Sequence, residues 1–165
     1  MHYNTIGLCY NTLMKTLLIQ QIEGFLEEPD MTAALANVSS CIMQSYDRLN
    51  WAGFYYAKNG ELILGPFQGK PACTHISFER GVCGETYRTK KPMRVDDVLA
   101  HKDHIACDAD SRSELCVPVL VNGECVAEID LDSPVTNRFT EAEEKEMLLA
   151  AECIASAWQQ HHWPN

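Results

Sequence analysis

The sequence predicts an α+β fold, with helices at both ends of the chain and an antiparallel sheet between them. Apolar residues recur with a helical period near both termini, whereas the middle of the chain consists of short aliphatic and aromatic runs. Two pairs, Asn59-Gly60 and Asn122-Gly123, each separate two such runs, which is the strongest short-range signal for a β-hairpin. Helices that flank a meander of strands are typical of an α+β domain.

Three stretches have the pattern of amphipathic helices. The first runs from Ile6 to Ile22, with apolar side chains at a period close to that of a helix. The second follows a break at Pro29, with Asp30 as its N-cap. The third begins at the capping box Thr140-Glu-Ala-Glu143. The apolar faces of the second and third helices comprise Leu35, Val38, Ile42, Met147, Leu148, Ala151, Ile154, Ala155 and Trp158.

Length and composition favour one domain and exclude several functions. The chain has 165 residues and no long Pro/Gly/Ser linker, so a single domain is expected over 1–165, with N-terminal helices in 1–47, the sheet and active-site loops in 50–139 and a C-terminal helix in 140–160. With 13 Lys and Arg against 23 Asp and Glu, the formal charge of −10 argues against nucleic acid. No membrane span and no secretory signal are recognisable, so a cytoplasmic location is expected.

The second hairpin brings acidic residues together. If a two-residue loop at Asn122-Gly123 set the pairing of both strands, Leu115 would lie opposite Asp130 and each face would mix apolar with acidic side chains. A bulge or an odd-length loop exchanges the faces and restores the match, so we predict that register. Glu114 then shares one face of the sheet with Asp130 and Asp132.

A cluster of three carboxylates has two explanations. Acidic residues in an antiparallel strand most often form a solvated outer face. Like charges that lie opposite each other are unfavourable, however, unless a bound ammonium, a metal ion or a shared proton compensates them. The pattern of residues leaves both explanations open.

The eight cysteines separate into two groups. Without a secretory signal a reducing compartment is expected, where persistent structural disulfides are rare. Cys9, Cys41 and Cys153 lie on apolar stripes of the predicted helices, and we interpret them as structural. Cys73 lies in the segment Gly65–Cys73, which is too rich in Gly and Pro for a strand. Cys83 lies in the first turn of a short predicted helix, where the helix dipole lowers a thiol pKa.

Cys107 lies in a polar loop, with Arg112 and His104 in reach to favour its thiolate. The spacing His101-x2-His104-x2-Cys107, completed by either of the other two loop cysteines, is an alternative zinc site. The chain has no C-x2-C pair, which structural zinc sites normally show, so no metal is expected. Thiol–disulfide chemistry suits these cysteines better, because one thiolate can attack and a neighbour can resolve the resulting sulfenic acid.

The middle of the chain also carries six short motifs. They are Asn50-Trp51-Ala-Gly53-Phe54-Tyr55, Gly65-Pro66-Phe67-Gln68-Gly69-Lys70-Pro71-Ala72-Cys73, Gly81-Val82-Cys83-Gly84, His104-Ile105-Ala106-Cys107-Asp108, Ser111-Arg112-Ser113-Glu114 and Asp130-Leu-Asp132-Ser133-Pro134. In this order they resemble the free methionine-(R)-sulfoxide reductase family of small stand-alone GAF-domain enzymes. The resemblance implies a GAF domain with a central antiparallel sheet of about six strands and the terminal helices packed together on one face.

The resemblance also implies an activity. The family reduces the R epimer of free methionine sulfoxide, uses no metal or organic cofactor, is recycled by thioredoxin and tends to form homodimers. By motif, Cys107 matches the nucleophile, Cys73 the usual resolving cysteine and Cys83 a third, resolving or accessory thiol. The residues that match the substrate site are Glu114, Asp130 and Asp132, with Trp51 as an aromatic wall beside the S-methyl group and Tyr55 as its neighbour on the same strand.

Physical chemistry supports this assignment. The ammonium of a free amino acid supplies the cation that the carboxylate cluster lacks, and a peptide-bound residue would leave those charges unpaired at a cost of several kcal/mol. For Trp51 and Tyr55, core packing is the ordinary explanation. The alternative function is a GAF sensor that binds a small ligand without catalysis. The length of the chain leaves no room for an attached effector, and the carboxylates would repel the phosphate of a cyclic nucleotide.

Overall fold

The computed structural model describes residues 15–102 and 107–164, which form helices and strands in an α+β arrangement. The elements are α1 Leu17–Phe25, α2 Met31–Ser45, β1 Trp51–Lys58, β2 Glu61–Gly69, β3 His75–Ser77, α3 Gly81–Thr89, β4 Met93–Val95, β5 Ser113–Val121, β6 Glu124–Ser133 and α4 Glu141–Gln160. The strands form one six-stranded sheet in the order β3-β2-β1-β6-β5-β4, with every neighbouring pair antiparallel. The predicted fold class is confirmed.

Local capping chemistry determines where the helices begin. Asp30 caps α2 by accepting a hydrogen bond from a backbone N–H three residues on, at 2.9 Å. At the start of α4, the Thr140 hydroxyl accepts from the Glu143 N–H, and the Glu143 carboxylate accepts from the Thr140 N–H. Both predicted caps are confirmed. The predicted bounds Ile6–Ile22 of the first helix are wrong in the described residues: the helix begins at Leu17, where the Thr16 side chain caps it, and ends at Phe25. Positions 6–14 of that prediction lie outside the described residues.

The β5–β6 hairpin has the predicted register and shows how it arises. Both Asn-Gly turns place their two residues at positive φ, as a two-residue hairpin loop requires. Beside the second turn Leu120 pairs with Cys125, but a bulge between Val119 and Leu120 then shifts the pairing by one residue. Glu114 therefore lies directly opposite Asp132, and the apolar and acidic residues of the two strands separate onto opposite faces.

One strand prediction was wrong. The segment from Gly65 to Gly69, judged too rich in Gly and Pro for a strand, is the second half of β2 and pairs with β1. The strand β3 is only three residues long and pairs with residues 61–63, so the rest of β2 has a strand neighbour on one side only. Such an edge tolerates Pro66, because its missing N–H does not interrupt a ladder there.

The two faces of the sheet are covered differently. The helices α1, α2 and α4 pack on one face, which we call the helix face, around a core that includes Phe54, Leu115 and Ile129. Cys41 and Cys153 are half-buried against that core, whereas Cys9 lies outside the described residues. The opposite face, which we call the pocket face, carries α3 and a smaller cluster. No helix in the described part of the chain is long and apolar enough to cross a membrane.

Candidate active site

A small cavity lies on the pocket face, over the strands β1, β6 and β5. Its volume is about 30 Å³, which is room for one or two water molecules. Of the eight residues predicted for the site, six line the cavity directly, and the other two, Cys73 and Cys83, contact residues of its wall. The structure thus brings the predicted set together. The six lining residues are Trp51, Tyr55, Cys107, Glu114, Asp130 and Asp132.

The three carboxylates are close together; Glu114 and Asp130 are buried, and Asp132 is half-buried. Glu114 and Asp132 pair across β5 and β6, Asp130 lies diagonally on the same face, and Glu114 and Asp130 are 7% and 5% exposed. Burial and the neighbouring carboxylates raise the pKa of Glu114 well above its usual range. Burial likewise raises the pKa of Asp132, and it raises the pKa of Asp130 to about 7. The cluster therefore favours bound protons or a bound cation near neutral pH.

Two aromatic rings form the wall beside the carboxylates. Trp51 pairs with Asp132 across β1 and β6, and Tyr55 lies two residues further on the same strand. The Trp51 ring stacks on Tyr55 and on Phe67, with centroid separations of 5.8 and 5.3 Å. The Tyr55 hydroxyl donates to the backbone carbonyl of Cys73 at 2.9 Å. This bond ties the aromatic wall to the cysteine loop.

Two glycines provide the space for the Trp51 ring. A Cβ added to Gly53 would lie 2.6 Å from that ring and 2.4 Å from the Cβ of Phe67. Gly69 has a φ of +126°, and a Cβ there would lie 2.5 Å from the Asn50 carbonyl and 2.8 Å from the ring. Side chains at either position would displace the wall of the cavity.

Two of the three candidate cysteines lie beside the cavity, and the third lies beneath its carboxylates. Cys73 and Cys107 form a disulfide, with a Cα–Cα distance of 5.3 Å. Cys83 lies below, in the first turn of α3, and its Sγ is 3.6 Å from both a Glu114 and an Asp130 carboxylate oxygen. The prediction that the helix dipole lowers the pKa of Cys83 is wrong. A hydrogen bond with Cys116, burial and the nearby Asp130 raise that pKa well above its usual range.

The loop that carries Cys107 is held by the side-chain amide of Asn50, which is not among the predicted site residues. The Asn50 side chain donates to Asp108 at 3.0 Å and to the Ser111 hydroxyl at 3.1 Å. Asp108 and Ser111 also line the cavity, and a Ser111 hydrogen bond reaches Asp132. These residues lie within the motifs quoted above, so membership of a motif was the signal that could have identified them.

The alternative zinc spacing is not assembled in the described part of the chain. The Nε2 of His101 is 3.0 Å from Glu85, and Cys107 is committed to its disulfide. His104 lies outside the described residues. Arg112, expected to favour the Cys107 thiolate, forms an ion pair with Asp97 at 3.3 Å.

The six-stranded sheet with its buried pocket defines a GAF domain, and the GAF domain family matches residues 29–158. The chain is 49% identical to protein YtsP of Bacillus subtilis, over 87% of this chain and 90% of that protein. It is 42% identical to the free methionine-R-sulfoxide reductase of Escherichia coli, over 72% of each chain. The chain belongs to the free methionine-(R)-sulfoxide reductase family, as its motifs predicted, and is an oxidoreductase.

A solved structure gives the same result. The free methionine-R-sulfoxide reductase from Neisseria meningitidis, in complex with its substrate, superposes with a TM-score of 0.85 at 36% identity. The superposition covers 88% of this chain and 88% of that one. The fold of the whole sheet, and not only of its motifs, is therefore shared with a member of this family.

Proposed function

We propose that this chain reduces free L-methionine-(R)-sulfoxide to L-methionine, using its own cysteines as the immediate reductant. The observation that carries the proposal is the placement of Cys107 in one cavity with three carboxylates, two of them buried and one, Asp132, half-buried. A cysteine nucleophile and a cation-binding cluster are the two groups that a free amino acid sulfoxide needs. The relatives named above as reductases of this substrate support the proposal.

The carboxylates provide the recognition step. Glu114, Asp130 and Asp132 face the ammonium group of the substrate, while the Trp51 and Tyr55 rings cover its S-methyl end. A peptide-bound methionine sulfoxide has no ammonium and would leave the buried charges without a partner. The selectivity of the enzyme for the free amino acid follows from this arrangement.

The chemical step proceeds through a sulfenic acid. The Cys107 thiolate attacks the sulfoxide sulfur, the oxygen passes to the Cys107 sulfur, and methionine leaves. One carboxyl of the cluster, kept protonated by its buried neighbours, donates to the sulfoxide oxygen as this happens. A second thiol then attacks the sulfenic acid, a disulfide forms, and water is released.

Cys73 is the resolving cysteine in this proposal. Its sulfur forms the disulfide with Cys107, whereas Cys83 lies below the carboxylates and remains a thiol. The cavity of the disulfide form is about 30 Å³, too small for an amino acid. Substrate therefore binds to the dithiol form, which thioredoxin regenerates by reducing the disulfide.

We further propose that the chain is a single domain over 1–165, located in the cytoplasm, and acts as a homodimer. The reliance on a reducing dithiol partner supports the location. The oligomeric state is tested by light scattering on the eluting protein, which is expected to give a mass of about two chains, while a mass of one chain would remove the dimer from the proposal.

A turnover assay tests the proposed reaction. Purified protein receives free L-methionine-(R)-sulfoxide or the S epimer, with thioredoxin, thioredoxin reductase and NADPH as the electron source. We expect turnover of the R epimer only, and a loss of about 10³-fold or more in Cys107→Ser. Cys153→Ser, which removes a half-buried cysteine on the helix face, is the matched control and should behave like the wild type. An inactive wild-type protein would favour the sensor alternative.

A further inference from the structure

A second cluster of ligand atoms lies beneath the catalytic pocket and has no part in the proposed reaction. Cys83, Cys116 and Glu128 meet there, and all three side chains are buried, with Cys116 and Glu128 fully inaccessible. One sulfur or carboxylate oxygen from each lies within 4.8 Å of the others. Three elements contribute: α3, β5 and β6.

The spacing of these atoms fits a tetrahedral metal site. With Zn–S bonds of about 2.3 Å and Zn–O bonds of about 2.1 Å, neighbouring sulfur and oxygen ligands are separated by about 3.6 Å. The Sγ of Cys116 lies 3.3 Å from Glu128 Oε2. The Sγ of Cys83 lies 3.6 Å from Glu114 Oε1 and 3.6 Å from Asp130 Oδ2. The ligand atoms form two groups of three, Cys83-Cys116-Glu128 and Cys83-Glu114-Asp130, which share the sulfur of Cys83.

The cluster also contains polar atoms that lack partners. In the part of the chain that the structure describes, Glu128 Oε1 and Asp130 Oδ1 are buried without a hydrogen bond. A buried carboxylate oxygen without a partner costs free energy, and an ionised carboxylate costs far more unless a cation compensates it. A cation bound here would supply a partner for both of these oxygens.

We propose that the reduced protein binds one soft divalent cation of the Zn²⁺ type through Cys83, Cys116 and Glu128. The fourth ligand is a carboxylate oxygen of Asp130 or Glu114, the residues that separate this cluster from the cavity. Two thiolates select Zn²⁺ over Mg²⁺ or Ca²⁺, which prefer oxygen-only sites. The ion enters through the catalytic cavity, because these carboxylates line it.

Occupancy of this site and turnover exclude one another, a consequence that rests on the proposed function. The metal takes up Cys83 and one of the carboxylates that bind the substrate ammonium. Zn²⁺ is therefore expected to inhibit competitively with methionine sulfoxide and to be reversed by a chelator. The inhibition is expected to weaken at least tenfold in Cys116→Ser, when each protein is compared with its own zinc-free rate.

The binding itself is tested without substrate. The full chain, reduced with a phosphine that carries no thiol, is titrated with Co²⁺ and then with Zn²⁺. We expect one Co²⁺ per chain, thiolate-to-cobalt charge-transfer absorption in the near ultraviolet, and displacement of the cobalt by Zn²⁺. Cys116→Ser should lose about half of the charge-transfer intensity, and Glu128→Gln should weaken binding at least tenfold.

Two control proteins locate the metal. The double variant Cys73→Ser/Cys107→Ser should retain the charge-transfer bands, as should Cys125→Ser, which removes a buried free thiol outside the cluster. Bands that vanish in the double variant and persist in Cys116→Ser would overturn the proposal, as would the lack of stoichiometric Co²⁺ binding by the wild type. Circular dichroism verifies that each variant is folded, and Glu128→Gln provides a second test if Cys116→Ser is not. Since these results need no turnover, they are independent of the reductase proposal.

Discussion

The two faces of the β5–β6 hairpin are equally buried and chemically opposite. On the helix face, Leu115 and Ile129 are fully inaccessible and are surrounded by apolar side chains of the helices. On the pocket face of the same strands, Glu114, Glu128 and Asp130 are also buried, but their neighbours are other carboxylates and thiols. Burial stabilises the first face, at roughly 25 cal/mol per Å² of apolar area. Burial destabilises ionised groups on the second.

In this hairpin, strand alternation places an apolar core on one face and the residues of the proposed substrate site on the other. The bulge between Val119 and Leu120 sets the register in which residues 113–119 of β5 pair with β6, and this register determines which side chains share a face. Packing on the helix face stabilises the sheet. This stabilisation keeps the carboxylates of the pocket face close together despite their mutual repulsion. A ligand that carries an ammonium group would relieve the repulsion between these carboxylates. The free energy of binding would then come mainly from the part of the protein that is least stable without a ligand.

The largest expected effect comes from removing one charge from the pocket face. Asp132→Asn keeps the shape of the side chain but removes one of the proposed partners of the substrate ammonium. We expect kcat/KM for the free sulfoxide to fall by about 10²–10³-fold. Because the repulsion with Glu114 and Asp130 is also relieved, the free energy of unfolding of the ligand-free variant should rise by about 1 kcal/mol at pH 8.

Both quantities are measured on the same preparation, by steady-state kinetics and by urea denaturation. Asp110→Asn is the matched control, since that carboxylate lies on the surface and bonds to Lys70. A variant that loses stability together with activity would show that Asp132 has a structural role and would contradict the comparison.

A change on the helix face should have the opposite pattern. Ile129→Ala removes a fully buried side chain from the core between β6 and the helices. We expect the free energy of unfolding to fall by about 3 kcal/mol, from lost burial and the cavity that remains. The kcat/KM of the folded variant, measured well below its melting temperature, should stay within about threefold of the wild type. A much larger loss of activity would show that the faces are coupled.

A smaller effect is expected from pH. Burial raises the pKa of Asp130 from 3.8 to about 7. Between these two pH values the folded protein therefore binds more protons than the unfolded chain does. The stability that this group contributes is present below the unfolded pKa and is lost as pH rises through the folded pKa. The part of the stability that depends on Asp130 should fall by about 2 kcal/mol between pH 5 and pH 7 in the ligand-free, metal-free protein. Denaturation at several pH values measures the total slope, to which Glu114, Glu128 and Asp132 also contribute, and Asp130→Asn should reduce it; a total slope of opposite sign would contradict this prediction.

Local and patterned features were predictable from the sequence. Asp30 and Thr140 cap their helices through side chains that act within three residues, so no tertiary information was needed. The register of β5 and β6 was predictable because an incorrect one would have placed Leu115 opposite Asp130. The motifs identified the family and, with it, the cysteines and carboxylates that the fold brings together.

The remainder depended on packing between distant segments. The second half of β2 was missed because the shortness of β3, which makes Pro66 acceptable, is a property of the assembled sheet. The pKa of Cys83 was predicted in the wrong direction because burial between α3 and β5 outweighs the helix dipole. Alternation already placed Cys116 and Glu128 on the carboxylate face, but the approach of Cys83 to them is a tertiary contact.

The central claim is that the three carboxylates of the cavity, Glu114, Asp130 and Asp132, select a substrate by its free ammonium group. The most direct test is the ratio of kcat/KM for free L-methionine-(R)-sulfoxide to that for N-acetyl-L-methionine-(R)-sulfoxide, which has the same sulfoxide and no ammonium. We predict a ratio of about 10³ or more for the wild type, because the acetylated compound leaves buried charges unpaired. Similar kcat/KM values for the two compounds would contradict the claim and leave the carboxylates without a role in recognition.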